Sequence, residues 1–234
     1  LAGSAGFAVW CSGGLETQLF TALTLGGMTL YLAEHAGRVR WRLSGLVLAL
    51  AAMTRPEGLM VFGLTAVHRV ASNLLLQRRL RPTWGELGWL LGFVLPFGAF
   101  FLWRYSYYGY PLPNTYYIKA GGGASASVTK WGLPYLWDFV RDNHLYLLLA
   151  LVPTFRPRSS WRAPRSGEQL ARGPAERSLD PRAPAGVRPG FVWSYVALVG
   201  LTYVAYVVYV GGDFMAMGRF FAPVLPLIAL FAQE

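Results

Sequence analysis

The stretch LSGLVLALAAMTRPEGLMVFGLTAV, residues 43–67, decides the fold. It is long enough to cross a membrane once, because a spanning helix needs about 20 largely apolar residues. Its middle is polar, however, and runs Thr54-Arg55-Pro56-Glu57-Gly58. Proline disfavours helix at the preceding residue, and charges at membrane depth are costly unless they face the protein interior. The segment therefore predicts two short helices that meet at a polar tip.

Apolar segments on both sides of this stretch predict further spans. The chain is 54% apolar and only 14% charged, whereas a soluble domain carries about 25% charge. Thr17–Ala33 is a candidate, though slightly short, and Glu86–Tyr105 and Phe191–Val210 are stronger. His144–Phe155 is shorter and would need its neighbours to complete a crossing, and another span begins at Phe220. We expect an all-α, polytopic transmembrane bundle with a broken-helix hairpin.

The net charge of +10 would suggest nucleic acid in a soluble protein, but here the basic residues separate apolar spans. They lie in three predicted loops: Arg38, Arg40 and Arg42; Arg69, Arg78, Arg79 and Arg81; and Arg156, Arg158, Arg162, Arg165, Arg172, Arg177, Arg182 and Arg188. The positive-inside rule places all three loops in the cytoplasm, and no nucleic-acid partner is expected. Both ends of residues 43–67 then lie on one side, which independently supports the hairpin.

The loop Arg156–Gly190 divides the chain into three parts, 1–155, 156–190 and 191–234. It is rich in Pro, Gly, Ala and Arg without apolar periodicity, which predicts a disordered cytoplasmic segment. A solvated linker is favoured over a segment that binds anionic lipid headgroups. The sequence begins without Met and stops at Glu234 inside an apolar segment, so we interpret it as part of a longer protein. The lone Cys11 can form no internal disulfide.

This topology places four polar motifs on the opposite, outer side: GGLET at residues 13–17, TRPEG at 54–58, the aromatic run at 103–119, and GGDFMAMGRF at 211–220. Each motif also has a purely structural interpretation. Glu16 can complement a helix dipole, Arg55 and Glu57 can pair with each other, the tyrosines can form an interfacial belt, and Asp213 and Arg219 can orient helix ends. The convergence of all four motifs favours one functional site.

The residue types in these motifs suit a phosphate-linked sugar. Phosphate recognition would use Arg55, Arg104, Lys119 and Arg219. Sugar hydroxyls would bind Glu16, Glu57, Asn114 and Asp213, and sugar rings would stack on Tyr107, Tyr108 and Tyr116. Glycosyl transfer needs a base for the acceptor hydroxyl, for which Glu16 and Asp213 are the candidates. No metal ligand is assigned, and of cofactors only a divalent cation is kept as an option.

At these motifs the chain resembles a known group. GLET before a span, TRPEG, PLPNTYYIK and GGDFMAMGRFFAPVLP are similar to the bacterial GT-C membrane glycosyltransferases, in the branch related to mycobacterial arabinofuranosyltransferases. The resemblance covers most of the chain outside Arg156–Gly190, and GGDFM with its following arginine is the most specific motif.

The resemblance implies an inverting, multi-pass enzyme of the bacterial cytoplasmic membrane. It would move a sugar from a polyprenyl-phosphate donor to a cell-envelope glycan or lipid acceptor at the outer face. The family's usual catalytic carboxylate lies in the first external loop, which we expect upstream of this sequence. Glu16 matches a second acidic position near GLET. A transporter or lipid flippase is the alternative, because transporters also use broken helices, and a non-catalytic assembly factor is a third.

Overall fold

The computed structural model describes residues 5–12, 16–39, 41–76, 78, 83–111, 126–145, 189–212 and 218–233. These ranges are helical almost throughout. The helices are α1 (Ala5–Ser12), α2 (Thr17–His35), α3 (Ser44–Thr54), α4 (Glu57–Leu76), α5 (Trp84–Tyr108), α6 (Ala126–Asp142), α7 (Pro189–Val210) and α8 (Leu225–Gln233), with a 3-10 helix at Arg219–Phe221.

The predicted hairpin is confirmed. Helix α3 ends at Thr54, Arg55 is extended with φ −145° and ψ 140°, and α4 begins at Glu57. The extended conformation follows from Pro56, which disfavours helix at the residue before it. Gly58 lets the two arms approach closely, since a Cβ at this position would meet the backbone of Ala51 and Ala52. The charged residues of TRPEG therefore lie at the turn between two antiparallel helices.

The arms of the hairpin are unequal, so the prediction of two short helices was wrong for the second arm. Helix α3 has 11 residues, but α4 has 20 and is long enough to cross a membrane. Arg69 was predicted in the loop after the hairpin and instead lies inside α4. Its guanidinium is buried at 4.8 Å from the Trp89 ring and 3.9 Å from Glu34, because partners on two other helices neutralise and cover it.

Helices α2 to α5 run up and down between two ends of the bundle. At one end, which we call the base end, Glu34 near the end of α2 accepts hydrogen bonds from Ser44 N and Oγ at the start of α3, at 2.7 and 2.8 Å. Trp89, near the start of α5, donates to Ser44 Oγ at 2.9 Å. The start of α2 and the turn between α3 and α4 consequently lie at the other end, the tip end.

Helix α7 docks against α2 and α4 through buried polar pairs. Tyr31 O–H lies 2.9 Å from His68 Nδ1, and His68 Nε2 lies 3.0 Å from Ser194 Oγ. Tyr195 O–H lies 2.7 Å from Thr65 Oγ1 on α4. Interhelical hydrogen bonds of this kind help to hold helices together where lipid provides no hydrophobic drive between them. They fix α7 so that its last turn points to the tip end.

Within the described residues, three helices are long and apolar enough to span a membrane: Glu57–Leu75, Trp84–Tyr108 and Gly190–Val210. The last two confirm the segments predicted at Glu86–Tyr105 and Phe191–Val210 as apolar helices. Helix α2 has the expected position and 19 residues, but its polar residues leave it less apolar than these three. The predicted span at Phe220 corresponds to the 3-10 helix and α8. The loop Arg156–Gly190, apart from its last two residues, and most of His144–Phe155 lie outside the described residues.

Candidate functional site

Four charged side chains from three predicted motifs meet at the tip end. Glu16 Oε1 lies 3.4 Å from Arg219 Nη2 and 3.9 Å from Arg55 Nε, and Arg55 Nη2 lies 3.3 Å from Glu57 Oε1. We call Glu16, Arg55, Glu57 and Arg219 the tip cluster. Glu16 and Arg219 are 203 positions apart in sequence, so the fold, and not local structure, brings them together.

The cluster is largely withdrawn from solvent. Arg55 and Glu57 are 5% and 8% exposed, and Arg219 is 9% exposed, whereas 37% of the Glu16 side chain is accessible. Buried charges need partners, and here each arginine has a carboxylate neighbour. The Arg55 guanidinium also lies 4.6 Å from the Phe220 ring. Glu16 is therefore the carboxylate that a molecule arriving from outside can reach.

Local sequence explains how Arg55 and Glu57 are presented and how α7 ends. Pro56 keeps Arg55 extended, and Glu57 lies in the first turn of α4, where a carboxylate complements the helix dipole. After α7, Gly211 and Gly212 have φ of 85° and 79°, a region that glycine adopts readily. These two residues end the helix, as the sequence predicts.

Arg55 and Glu57 each carry an atom with unused hydrogen-bonding capacity. Among the described residues, Arg55 Nη1 and Glu57 Oε2 are buried without a hydrogen-bond partner, as is Trp10 Nε1 nearby on α1. Leaving such groups unsatisfied costs about 1–3 kcal/mol each, and more for charged groups. A ligand carrying both acceptor and donor oxygens, such as a phosphorylated sugar, would satisfy a guanidinium N–H and a carboxylate oxygen at once.

The Arg55–Glu57 pairing predicted as a structural alternative is present, but it is not the whole arrangement. Arg55 also faces Glu16, and its second terminal nitrogen remains open. The second carboxylate neighbour distinguishes this arrangement from a simple ion pair. The geometry thus combines an ion pair with a second carboxylate and with buried polar atoms that are incompletely satisfied.

Three further candidates lie at the same end without joining the cluster. Helix α5 carries Arg104, Tyr107 and Tyr108 in its last two turns, and Arg104 donates to the carbonyl of Pro111. Tyr107 and Tyr108 are 73% and 56% exposed and contact each other edge to face at 4.8 Å. Within the described residues, no hydrogen bond or ion pair links these three side chains to the tip cluster. Their role in binding stays a prediction.

Four candidates, Asn114, Tyr116, Lys119 and Asp213, lie outside the described residues. In the part of the chain that is described, no three His, Cys, Asp or Glu side chains are grouped to hold a metal ion.

The sequence did not single out several residues that build the tip end. Trp10 and Phe20 place their rings 5.6 Å from Arg219 and 5.5 Å from Arg55. Tyr135 on α6 accepts a hydrogen bond from Phe220 N at 3.1 Å. Each is an aromatic residue within an otherwise apolar or mixed helix, and nothing in its spacing marks it.

At the base end, the sequence does mark Glu34, since a carboxylate near the end of an apolar helix requires a partner.

The protein is an all-α membrane protein, with membrane-length apolar helices and the buried charges of the tip cluster at one end of the bundle. A terminal beta-(1->2)-arabinofuranosyltransferase of Corynebacterium glutamicum is 33% identical to the chain over 180 residues, 76% of the chain and 23% of that protein. The chain is thus a distant relative of an arabinofuranosyltransferase, as its motifs predict, and spans about a quarter of this relative's length. No protein-family model matches the chain, and no solved structure matches it significantly.

Proposed function

We propose that the chain is part of a multi-pass glycosyltransferase of the GT-C type in the bacterial cytoplasmic membrane. The enzyme moves a sugar from a polyprenyl-phosphate donor to a glycan or lipid acceptor of the cell envelope at the outer face. Support comes from the similarity to an arabinofuranosyltransferase and from the resemblance of the quoted motifs to that group.

The tip cluster is the observation that carries this proposal. A phosphodiester between a lipid and a sugar needs fixed positive charge, which two arginines supply next to carboxylates that can bind hydroxyls. Arg55 and Arg219 both reach Glu16, and Arg55 Nη1 and Glu57 Oε2 have no hydrogen-bond partner among the described residues. The base-end pair of Arg69 and Glu34 also contains an unsatisfied guanidinium nitrogen, so the tip cluster is distinguished by the partly exposed Glu16, which two arginines share.

The cluster suggests a division of roles. Arg219 and Arg55 hold the donor phosphate, Glu57 accepts a sugar hydroxyl, and Glu16, as the accessible carboxylate, meets the acceptor or sugar hydroxyl that enters from outside. Asp213, Arg104, Asn114, Lys119 and the tyrosines Tyr107, Tyr108 and Tyr116 complete the proposed site from the adjoining segments.

The proposal is tested with the full-length protein in liposomes, supplied separately with several polyprenyl-phosphate sugars and an envelope-type glycan acceptor. We expect transfer from one or more of these donors, and a loss of at least about tenfold in the Glu16→Gln variant, equivalent to about 1.4 kcal/mol. Asp138→Asn provides the control, because Asp138 is exposed and its ion pair among the described residues is with Arg141. Transfer that requires no lipid-linked sugar, or equal transfer by Glu16→Gln and Asp138→Asn, would reject the assignment.

A further inference from the structure

Helix α6 contacts the chain on both sides of the 213–217 segment. On one side, Gly212 packs against the ring of Tyr135, and a Cβ at this position would overlap that ring. On the other side, a Cβ at Gly218 would lie 2.6 Å from Cδ2 of Phe139. Gly212 and Gly218 both have positive φ, so a side chain there would be strained as well as obstructed. Glycine at both positions permits α6 to lie directly against the backbone that leads to Arg219.

Tyr135 adds a directed contact to this packing. Its hydroxyl accepts the backbone N–H of Phe220, the residue next to Arg219. The first N–H groups of a helical turn have no partner within that turn, and Phe220 lies in the 3-10 helix Arg219–Phe221. The rings of Tyr135 and Phe139 also pack on Phe221, at 5.5 and 4.6 Å between centroids. The 3-10 helix is thus fixed from one side by α6.

Helix α6 is itself packed closely against α7. Gly132 abuts the carbonyl of Val208 in the last turn of α7, so α6 and α7 approach at backbone distance. The charged residues in the last turns of α6 pair with one another at the surface, Arg141 with Asp138 and Asp142. In these contacts, α6 packs against the backbone next to Arg219 and provides the Tyr135 hydroxyl as a hydrogen-bond acceptor.

We propose that α6 sets the position of Arg219 in the tip cluster, with Tyr135 as the positioning residue. Arg219 lies in the 3-10 helix, so the place of this helix determines whether Arg219 Nη2 reaches Glu16 at 3.4 Å. This inference rests on the proposed function, in which Arg219 holds the phosphate of the donor. Tyr135 acts through Arg219 and does not touch the substrate.

The test is a double-mutant cycle in the full-length protein, using a polyprenyl-phosphate sugar as donor. Tyr135→Phe removes the hydroxyl that accepts the Phe220 N–H and is expected to raise the donor KM about fivefold. In an Arg219→Ala background the same change is expected to alter transfer less than about twofold, because residues that act as one unit are not additive. Gly218→Ala, which moves the backbone against Phe139, is expected to lower kcat/KM by at least about tenfold.

Two matched controls separate positioning from general destabilisation. Tyr31→Phe removes a buried hydroxyl that pairs with His68 at the base end, and Gly98→Ala adds a methyl group where nothing lies within 4 Å. Both should retain the wild-type KM. The inference is overturned if Tyr135→Phe behaves like Tyr31→Phe, or if it lowers transfer by the same factor in both backgrounds. If Arg219→Ala itself transfers normally, the proposed function fails at this residue and the positioning role fails with it.

Discussion

Arg55→Ala is expected to reduce glycosyl transfer by the full-length protein about a hundredfold, equivalent to about 2.7 kcal/mol of transition-state stabilisation. Arg55 lies between the two carboxylates of the tip cluster, 3.3 Å from Glu57 and 3.9 Å from Glu16. Its loss removes one of the two proposed phosphate-binding guanidinium groups and leaves Glu57 buried without its cation. Charge-assisted hydrogen bonds are worth about twice as much as neutral ones, which explains the size of the effect.

A paired variant distinguishes loss of substrate binding from loss of folding. Removing one member of a buried ion pair destabilises a protein, whereas replacing both members by neutral groups is often tolerated. Arg55→Met combined with Glu57→Gln should therefore restore normal insertion and thermal stability while transfer stays low. Recovery of transfer in the double variant would show that the pair is structural only. Steady-state kinetics and a detergent melting curve on the same preparations provide both readings.

Glu34→Ala is expected to lower the free energy of unfolding by about 3–5 kcal/mol. Glu34 is the acceptor for Ser44 N and Oγ, so a side chain from α2 caps the start of α3. It also lies 3.9 Å from Arg69, whose Nη1 is buried without a hydrogen-bond partner among the described residues. Removing the carboxylate leaves the helix start uncapped and Arg69 buried with its neighbouring anion gone.

Denaturant unfolding in a fixed lipid–detergent mixture measures this loss. Adding Arg69→Met to Glu34→Ala should recover a large part of it, because the second change removes the uncompensated charge. Glu86→Ala serves as a comparison at the same end, since Glu86 is a partly buried residue that caps α5 with Thr83. A capping loss costs about 1 kcal/mol, so Glu34→Ala should be clearly the more destabilising change. Equal losses for the two variants would contradict the role given to Glu34.

The sequence predicts those features that depend on a residue and its immediate neighbours alone. Pro56 imposes an extended Arg55, and the hairpin follows from that single restriction. Glu16, Arg55, Glu57 and Arg219 stand out as charges beside or within apolar segments, where each needs a partner. Their convergence was predictable from topology, because the positive-inside rule places all their motifs at one end.

Other features depend on tertiary packing that has no local signal. Arg69 looked like the start of a basic loop, yet α4 continues past it because Glu34, Tyr31 and Trp89 neutralise and cover its guanidinium. Tyr135 reaches Phe220 across 85 positions, and only the approach of α6 to α7 makes that contact possible. Sequence patterns report which residues need partners. They do not report which aromatic residue, far along the chain, provides one.

The central claim is that the tip end of the bundle binds the lipid-linked donor, and Arg219 and Asp213 test it most directly. Arg219 is in the cluster, and Asp213 follows the two glycines that end α7. The measurement is the transfer rate of full-length Arg219→Ala and Asp213→Asn, with Arg141→Ala and Asp142→Asn as exposed controls on α6. The account predicts at least about a tenfold loss for the first two variants, normal insertion for all four, and near-normal transfer by the controls. Near-normal transfer by both Arg219→Ala and Asp213→Asn would contradict it.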